Sequence, residues 1–176
     1  QGMLTPTNNP LDVAVHGKGF FEVLSPNGVR YTRKGNFTLN SEGLLVTSQG
    51  YPVLSEAAFS AEEGSEAATP QQRVIQLPGQ GQISIDRQGT IHAGQGPLGQ
   101  LAVTEFGDIS ALRKEGHALF INKNPNNVKQ APHSSSIHQG FVEESNVNVV
   151  KEMSELIKAN RHFETIQKAI KTYDEM

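Results

Sequence analysis

The sequence predicts a mainly β fold, in which an antiparallel β-rich body is followed by a single long C-terminal α-helix. Short apolar stretches alternate with turns along most of the chain, which contains 17 glycines and 9 prolines. Hairpin-type turns such as Asn27-Gly28 separate stretches that are too closely spaced to admit crossover helices. After residue 143, apolar residues instead recur at the spacing of one helix face.

The chain divides into three predicted parts. Residues 1–10 are polar, contain two prolines, and predict an extended lead-in. Residues 11–142 form the β-rich body, and residues 143–176 form a C-terminal helical assembly segment. The chain does not begin with methionine, which favours a fragment of a longer protein.

Strand predictions in the body rest on apolar alternation between turn residues. Turns at Asn27-Gly28, Glu42-Gly43 and Gln88-Gly89 each predict a hairpin, because glycine tolerates positive φ. The small, acidic stretch 55–72 has little to bury and predicts a surface loop or a short helix. The predicted strands cover residues 11–15, 20–24, 29–33, 36–39, 44–47, 51–54, 74–77, 83–85, 90–92, 98–106 and 118–121.

The C-terminal segment carries an apolar row at helical spacing. Four residues recur every seven positions, and three more lie three or four positions from members of that row. Ser145 or Asn148 could cap the start of the predicted helix. A long helix with one apolar side needs a partner, and no second helix of that length is predicted, so we expect an assembly surface. Its predicted residues are Val149, Met153, Leu156, Phe163, Ile166, Ile170 and Tyr173.

Composition excludes several classes of function. Eighteen acidic and fifteen basic residues give a formal charge of −3, so the chain lacks the basic surface that nucleic acids require. The absence of cysteine rules out disulfides, thiol catalysis and cysteine metal sites. No apolar run is long enough to predict a membrane-spanning helix, and no leader predicts a cleaved signal peptide.

No catalytic, cofactor-binding or metal-binding group is predicted. Gly17-Lys18-Gly19 precedes a second strand, whereas a dinucleotide loop needs a third glycine and a helix N-terminus, so we interpret it as a turn. The six histidines lack the regular spacing of a zinc site. Asp12 and His16 could face the same side of a strand, but no nucleophile accompanies them. The sequence therefore predicts a protein that is not an enzyme.

Three segments in a fixed order resemble one protein family. They are 7–21, then 31–53, and then 139–148, which runs into the C-terminal segment. The chain resembles the axial proteins of the bacterial flagellum, specifically the basal-body rod and hook group. The residues that carry the resemblance include Asn9, Pro10, Leu11, Asp12, Gly17, Gly19, Phe20, Phe21, Ser145, Asn146, Val147 and Asn148.

The resemblance implies a structural subunit of the flagellar basal-body rod that transmits torque through subunit packing. It implies a periplasmic location in the rod and export by the flagellar type III apparatus without signal cleavage. Its implied partners are other rod and hook–basal-body proteins and copies of itself. In that family an N-terminal helix, absent here, pairs with the C-terminal helix as a coiled coil in the inner tube of the axial structure.

The residues 153–164 are closer to the proximal-rod than to the distal-rod members of the family. Distal members tend to carry Ala-Tyr-Glu where this chain has His162-Phe163-Glu164. Lys18 also replaces an acidic residue that is frequent between the two glycines.

A second hypothesis is a free-standing β-rich module that binds cell-wall polysaccharide, with the helix as a dimerisation handle. Aromatic side chains exposed on one strand face would favour it, because sugars stack on such platforms. The chain has eleven aromatic residues and no tryptophan, so few side chains are available to form such a platform. A cell-wall enzyme would need paired carboxylates or a nucleophile in a cleft, and the sequence offers neither arrangement.

Overall fold

The computed structural model describes residues 3–56, 69–79, 81–94, 96–129 and 134–144. The strands are β1 (Leu4–Pro6), β2 (Val13–His16), β3 (Phe20–Ser25), β4 (Gly28–Thr32), β5 (Thr38–Leu39), β6 (Leu45–Val46), β7 (Ile83–Ile85), β8 (Thr90–Ala93), β9 (Pro97–Gln100), β10 (Val103–Thr104), β11 (Arg113–Glu115), β12 (Leu119–Ile121), β13 (Ser136–Gln139) and β14 (Phe141–Glu143). Three short 3-10 helices cover Pro70–Arg73, Ile109–Ala111 and Pro125–Asn127.

The strands form small antiparallel sheets rather than one continuous sheet. The largest has the order β10-β3-β4-β12-β11, and a three-stranded sheet has the order β7-β8-β9. The pairs β1–β14, β2–β13 and β5–β6 complete the set in the described chain. Every pairing between these strands is antiparallel, as the closely spaced turns predict.

The predicted fold class was wrong in its second part. The described residues contain no α-helix, and their longest helical segment is the four-residue 3-10 helix Pro70–Arg73. A single long C-terminal helix is therefore not supported, and residues 145–176, on which that prediction fell, lie outside the described residues. The prediction used side-chain spacing alone, whereas most helical stability in proteins comes from packing the apolar face.

Two compact units divide the chain. One is Leu4–Glu143, which contains the fourteen strands found in the described residues. The other comprises Gln1–Met3 and Glu144–Met176, in which the Glu144 N–H donates to the Met3 carbonyl at 2.9 Å. The boundaries 1–10, 11–142 and 143–176 stay a prediction.

The core is made of apolar residues from seven of the strands and from the segments between them. β2 is buried at Val13, Ala14 and Val15, and β3 is buried at both Phe20 and Phe21. Strands buried on both faces lose the alternation that a half-exposed strand shows. The core cluster consists of Val13, Val15, Phe21, Val23, Phe37, Leu45, Val53, Ile75, Leu77, Ile85, Ile91, Leu101, Leu119 and Ile137.

The hairpin predicted at Asn27-Gly28 is present between β3 and β4. The two strands pair from Phe21 opposite Thr32 to Ser25 opposite Gly28. The buried Ser25 hydroxyl donates to the Gly28 carbonyl at 2.9 Å and accepts from the Asn27 N–H at 3.2 Å. These two hydrogen bonds of Ser25 stabilise the turn, in addition to the positive φ that Asn-Gly can adopt.

Gly35 lies against the backbone of β2. Its carbonyl accepts from the Val13 N–H at 3.0 Å, and the Phe37 N–H donates to the same carbonyl at 2.9 Å. A Cβ at Gly35 would overlap the carbonyl oxygen of Val13. Because that neighbour is backbone rather than a flexible side chain, it cannot move aside without displacing β2.

Gly35→Ala is expected to lower the free energy of unfolding by about 3 kcal/mol, because the added methyl group forces β2 away from the segment after β4. Urea denaturation followed by circular dichroism measures the change. Gly116→Ala is the control, since nothing lies within 4 Å of a Cβ there, and it should change stability by less than about 0.5 kcal/mol. Equal stability of the two variants would contradict this account of Gly35.

Candidate functional site

The start of the first family segment, residues 7–12, forms the turn that joins β1 to β2. The Asn9 side-chain oxygen accepts from the Leu11 N–H at 3.0 Å, and the Asn9 carbonyl accepts from the Asp12 N–H at 3.0 Å. Asn8 has a φ of 60°, a conformation that asparagine tolerates better than most residues. The sequence Asn-Asn-Pro is therefore suited to this turn by local backbone chemistry.

Gln139 on β13 connects this turn to β7. Its amide nitrogen donates to the carbonyls of Pro10 and Ile83, each at 2.8 Å, and its oxygen accepts from the Ile85 N–H at 3.0 Å. One side chain thus satisfies three backbone groups that belong to two distant stretches of sequence. Gln139 stood at the start of the third family segment, but its role was not predicted.

The loop between β2 and β3 carries the two family glycines, Gly17 and Gly19. Gly17 has a φ of +119°, and a Cβ there would lie 2.9 Å from Ser135 Cα. The Gly19 N–H donates to Ser135 Oγ at 2.8 Å. This contact packs the loop against the segment before β13.

Glu105 organises the segment that packs on this loop. One of its carboxylate oxygens, Oε2, accepts from Ser135 Oγ at 2.8 Å and from the N–H groups of Ser134 and Ser135 at 2.9 and 3.0 Å. Lys129 Nζ lies 3.5 Å from the other oxygen, and the Glu105 side chain is only 3% exposed. Burial raises the pKa of Glu105, but these hydrogen bonds and Lys129 outweigh that effect and hold the pKa below its ordinary value of 4.5.

Phe20 and Phe21 point to opposite faces of β3. Phe21 packs in the core, where its ring meets Phe37 edge-to-face at 5.2 Å. Phe20 lies on the other face, with ring centroids 5.6 Å from Phe106 and 5.5 Å from Phe120. Tyr31 extends this group through Phe106 at 4.9 Å, also edge-to-face.

This aromatic cluster is packed rather than presented to solvent. Phe20 and Phe106 are 4% and 5% exposed, and Tyr31 and Phe120 are half-buried. Burial and then the neighbouring Glu22 carboxylate raise the pKa of Tyr31. Edge-to-face geometry leaves no row of flat ring faces for a sugar to stack on.

A groove of about 610 Å³ lies beside the first family segment. Its wall includes Asn9, Pro10, Leu11, Ile83 and Gln139. No charged side chain lines the described part of the groove. It therefore offers neither a general acid or base nor a set of metal ligands.

Three of the four described histidines lie beside another ionisable side chain. His92 lies 3.3 Å from Asp86, and the rings of His16 and His138 are 5.9 Å apart on adjacent strands. Burial, then the positive charge of Arg87 and the neighbouring His16, lowers the pKa of His138. Among the described residues, no group of three or more His, Asp or Glu side chains could hold a metal ion, and no helix could cross a membrane.

Part of the predicted site lies outside the described residues. This applies to Ser145, Asn146, Val147 and Asn148 of the third family segment, and to the predicted assembly residues Val149, Met153, Leu156, Phe163, Ile166, Ile170 and Tyr173. Their assignment stays a prediction. The described family residues, from Asn9 to Phe21, are brought together around β2, β3 and the turns that flank them.

Glu105→Gln should destabilise the protein most at neutral pH. A carboxylate whose folded-state pKa is depressed stabilises the fold above its unfolded pKa, and that contribution is lost as the pH falls through the folded value. The stability difference between wild type and Glu105→Gln is therefore expected to be full above about pH 5.5 and to shrink as the pH falls below 4.5. Chemical denaturation at a series of pH values measures it, and a difference independent of pH would contradict the assignment.

Two family models match this chain in order. The model described as the flagellar hook protein FlgE/F/G D1 domain matches residues 14–93, and that described as the flagellar basal body rod FlgEFG protein C-terminal matches residues 138–176. A crystal structure of the Helicobacter pylori flagellar hook protein FlgE2 aligns with a TM-score of 0.32 and 22% identity, over 49% of this chain and 24% of that one. That structural similarity is too low to bear on the fold.

Curated relatives match nearly the whole chain. The flagellar basal-body rod protein FlgF of Caulobacter vibrioides is 35% identical over 96% of this chain and 63% of its own length. FlgG proteins of Buchnera aphidicola and Bacillus subtilis are 34% and 32% identical, over 100% and 97% of this chain and 66% and 64% of their own lengths. The chain thus spans slightly less than two thirds of these relatives. It belongs to the flagellar rod and hook protein family, as its three ordered segments predicted.

Proposed function

We propose that the protein is a structural subunit of the bacterial flagellar basal-body rod and has no catalytic activity. The observation that carries this proposal is the match of nearly the whole chain to several proteins named flagellar basal-body rod protein. The role is mechanical: the subunit transmits torque by packing against its neighbours. A cooperative β body suits this role, because close-packed interiors are stiff and transmit strain.

The tight packing of four family residues supports a structural role. Gly17, Gly19, Phe20 and Phe21 each fit a tight contact inside the body instead of lining a cleft. Residues that recur for a ligand would instead converge on an accessible pocket. These four residues of the first family segment therefore stabilise the fold on which the proposed assembly surface is built.

A polysaccharide-binding module is not supported. That hypothesis required aromatic side chains exposed on one strand face. The aromatic group on the outer face of β3 and its neighbours is packed edge-to-face, and its central members are almost fully buried. The relatives are also named as rod proteins.

The proposed partners are copies of this protein and other flagellar axial proteins. The proposed location is the periplasmic rod of the basal body, reached by flagellar type III export without a cleaved signal peptide. Within the rod, the proximal segment is proposed, on the resemblance of residues 153–164. The FlgF and FlgG relatives are almost equally identical, at 35% and 34%, so overall identity does not choose between them.

The apolar residues of the C-terminal segment are the proposed assembly contacts. The segment lies within the part of the chain that matches the rod C-terminal family model. Each such side chain is worth about 1.5–3 kcal/mol when it is buried, so several together can decide whether a subunit is incorporated.

Deletion of the gene in its host is expected to give non-motile cells that lack hooks and filaments, with the basal body arrested at the rod stage. Electron microscopy of isolated basal bodies and a swimming assay measure the two outcomes. Complementation with the wild-type gene is the control. A deletion strain that swims normally, with an altered cell-wall digest, would overturn the structural role.

The double substitution Leu156→Asp and Phe163→Asp should leave the β body folded and abolish incorporation into the rod, because it places two charges among apolar contacts. Circular dichroism of the purified protein and immunoblotting of isolated basal bodies measure folding and incorporation. Ser154→Asp with Gln167→Asp adds the same charge at polar positions and serves as the matched control. Normal incorporation of the Leu156 and Phe163 variant would remove these residues from the assembly surface.

A further inference from the structure

The guanidinium of Arg33 has all five N–H donors engaged. Nε and Nη2 donate to the two carboxylate oxygens of Glu143 at 2.8 and 2.7 Å. Nη1 donates to the carbonyls of Gly17, at 2.8 Å, and Gly19, and Nη2 also donates to the Val15 carbonyl at 3.1 Å. A guanidinium carries five donors in a fixed plane, so no arginine can be satisfied more fully than this one.

The hydrogen bonds of Arg33, here called the Arg33 node, join three separate elements. Arg33 directly follows β4 of the five-stranded sheet, and Val15, Gly17 and Gly19 belong to the end of β2 and the loop before β3. Glu143 ends β14, which lies far away in sequence. The Arg33 and Glu143 side chains are 18% and 8% exposed, and the guanidinium lies 5.7 Å from the ring centroid of Phe20. A charge pair this well shielded is screened much less by salt than a surface pair.

Glu143 belongs to a two-stranded ribbon, here called the terminal ribbon, which consists of β1 and β14. Leu4 pairs with Glu143 at one end of the ribbon, and Pro6 pairs with Phe141 at the other. The Phe141 end is attached to the body through Gly140, whose N–H donates to the Asp12 carbonyl at 2.7 Å. The Glu143 end is the one at which the chain enters and leaves the unit Leu4–Glu143, and there Arg33 binds.

We infer that Arg33 is the positioning residue that fixes the outer end of the terminal ribbon to the β body, so that force applied at the two chain ends reaches the five-stranded sheet. This inference rests on the proposed rod function. A two-stranded ribbon alone is marginally stable and would peel from its open end. The bidentate pair between Arg33 and Glu143 opposes separation of the ribbon at the end where the force would be applied. The three hydrogen bonds from Arg33 to backbone carbonyls transmit that force to β2 and to the loop before β3.

Lysine cannot replace arginine in this node. Its ammonium has three donors and no planar fork, so it cannot bind both Glu143 oxygens and also reach three carbonyls. Arg33→Lys keeps the positive charge and removes only the planar arrangement of five donors. Glu143→Gln is the second variant, since it keeps the shape of the side chain and removes the carboxylate.

Hydrogen exchange of the whole protein tests the attachment directly. In Arg33→Lys and in Glu143→Gln, the amides of β1 and β14 are expected to exchange about tenfold faster, the factor that loss of a charge-assisted hydrogen bond implies. Amides of β3 and β4 are expected to keep their wild-type rates. Unchanged exchange in the ribbon, or equal acceleration in all strands, would overturn the inference.

Arg30→Lys is the matched control. Arg30 is a second shielded arginine; it lies on β4, is 12% exposed, and binds Glu115 through Nε at 2.8 Å. Its partner lies on β11, within the same five-stranded sheet, and not on the terminal ribbon. Arg30→Lys should therefore leave exchange in β1 and β14 at the wild-type rate.

The mechanical part is tested in the host by swimming at low and at raised viscosity. Cells with Arg33→Lys should assemble rods in normal number, swim normally at low load, and lose at least about half of their relative speed at high load, because a tenfold more open ribbon transmits force less well. Cells with Arg30→Lys should match wild type at both loads. Equal speeds of the two variants at high load would overturn the inference. Failure of the rod function itself would instead appear as complete basal bodies in the deletion strain.

Discussion

The close approach of Gly35 to Val13 is the contact on which the arrangement of the body depends. It holds β2 against the segment after β4, and β2 is buried at three consecutive residues. β2 in turn pairs with β13, which presents Gln139 to both the Asn9 turn and β7. The small sheets do not share one continuous ladder of hydrogen bonds, so the contact between Gly35 and Val13 helps to fix their relative positions.

Features that depend on neighbouring residues could be predicted from the sequence. Features that depend on contacts between residues far apart in the sequence could not. The hairpin at Asn27-Gly28 depends on four neighbouring residues, so its signal lies within one short window. The stretch 98–106 was predicted as one strand but is divided between β9 and β10, because Leu101 instead bridges Ser55. The long C-terminal helix was wrong for a related reason: apolar spacing describes one face and does not supply the partner that stabilises it.

The candidate site shows the same division. Ordered motifs identified the residues from Asn9 to Phe21. Asn9 suits its turn through local hydrogen bonds, whereas Gly17 and Gly19 make tertiary contacts with Ser135 and Arg33. A lone arginine or glutamine in a sequence carries no sign that its side chain will bond to several distant backbone groups. Arg33 and Gln139 each bind groups more than 50 residues distant, and only the fold brings these together.

We propose that this protein is one repeating element of a rod. The direct measurement is quantitative mass spectrometry of hook–basal bodies purified from the host, stripped of filaments and membrane rings, with cross-linking before dissociation. The account predicts that the protein stays with the rod in several copies and cross-links both to itself and to other axial proteins. Recovery only in the soluble periplasmic fraction, with no cross-link to an axial protein, would contradict it.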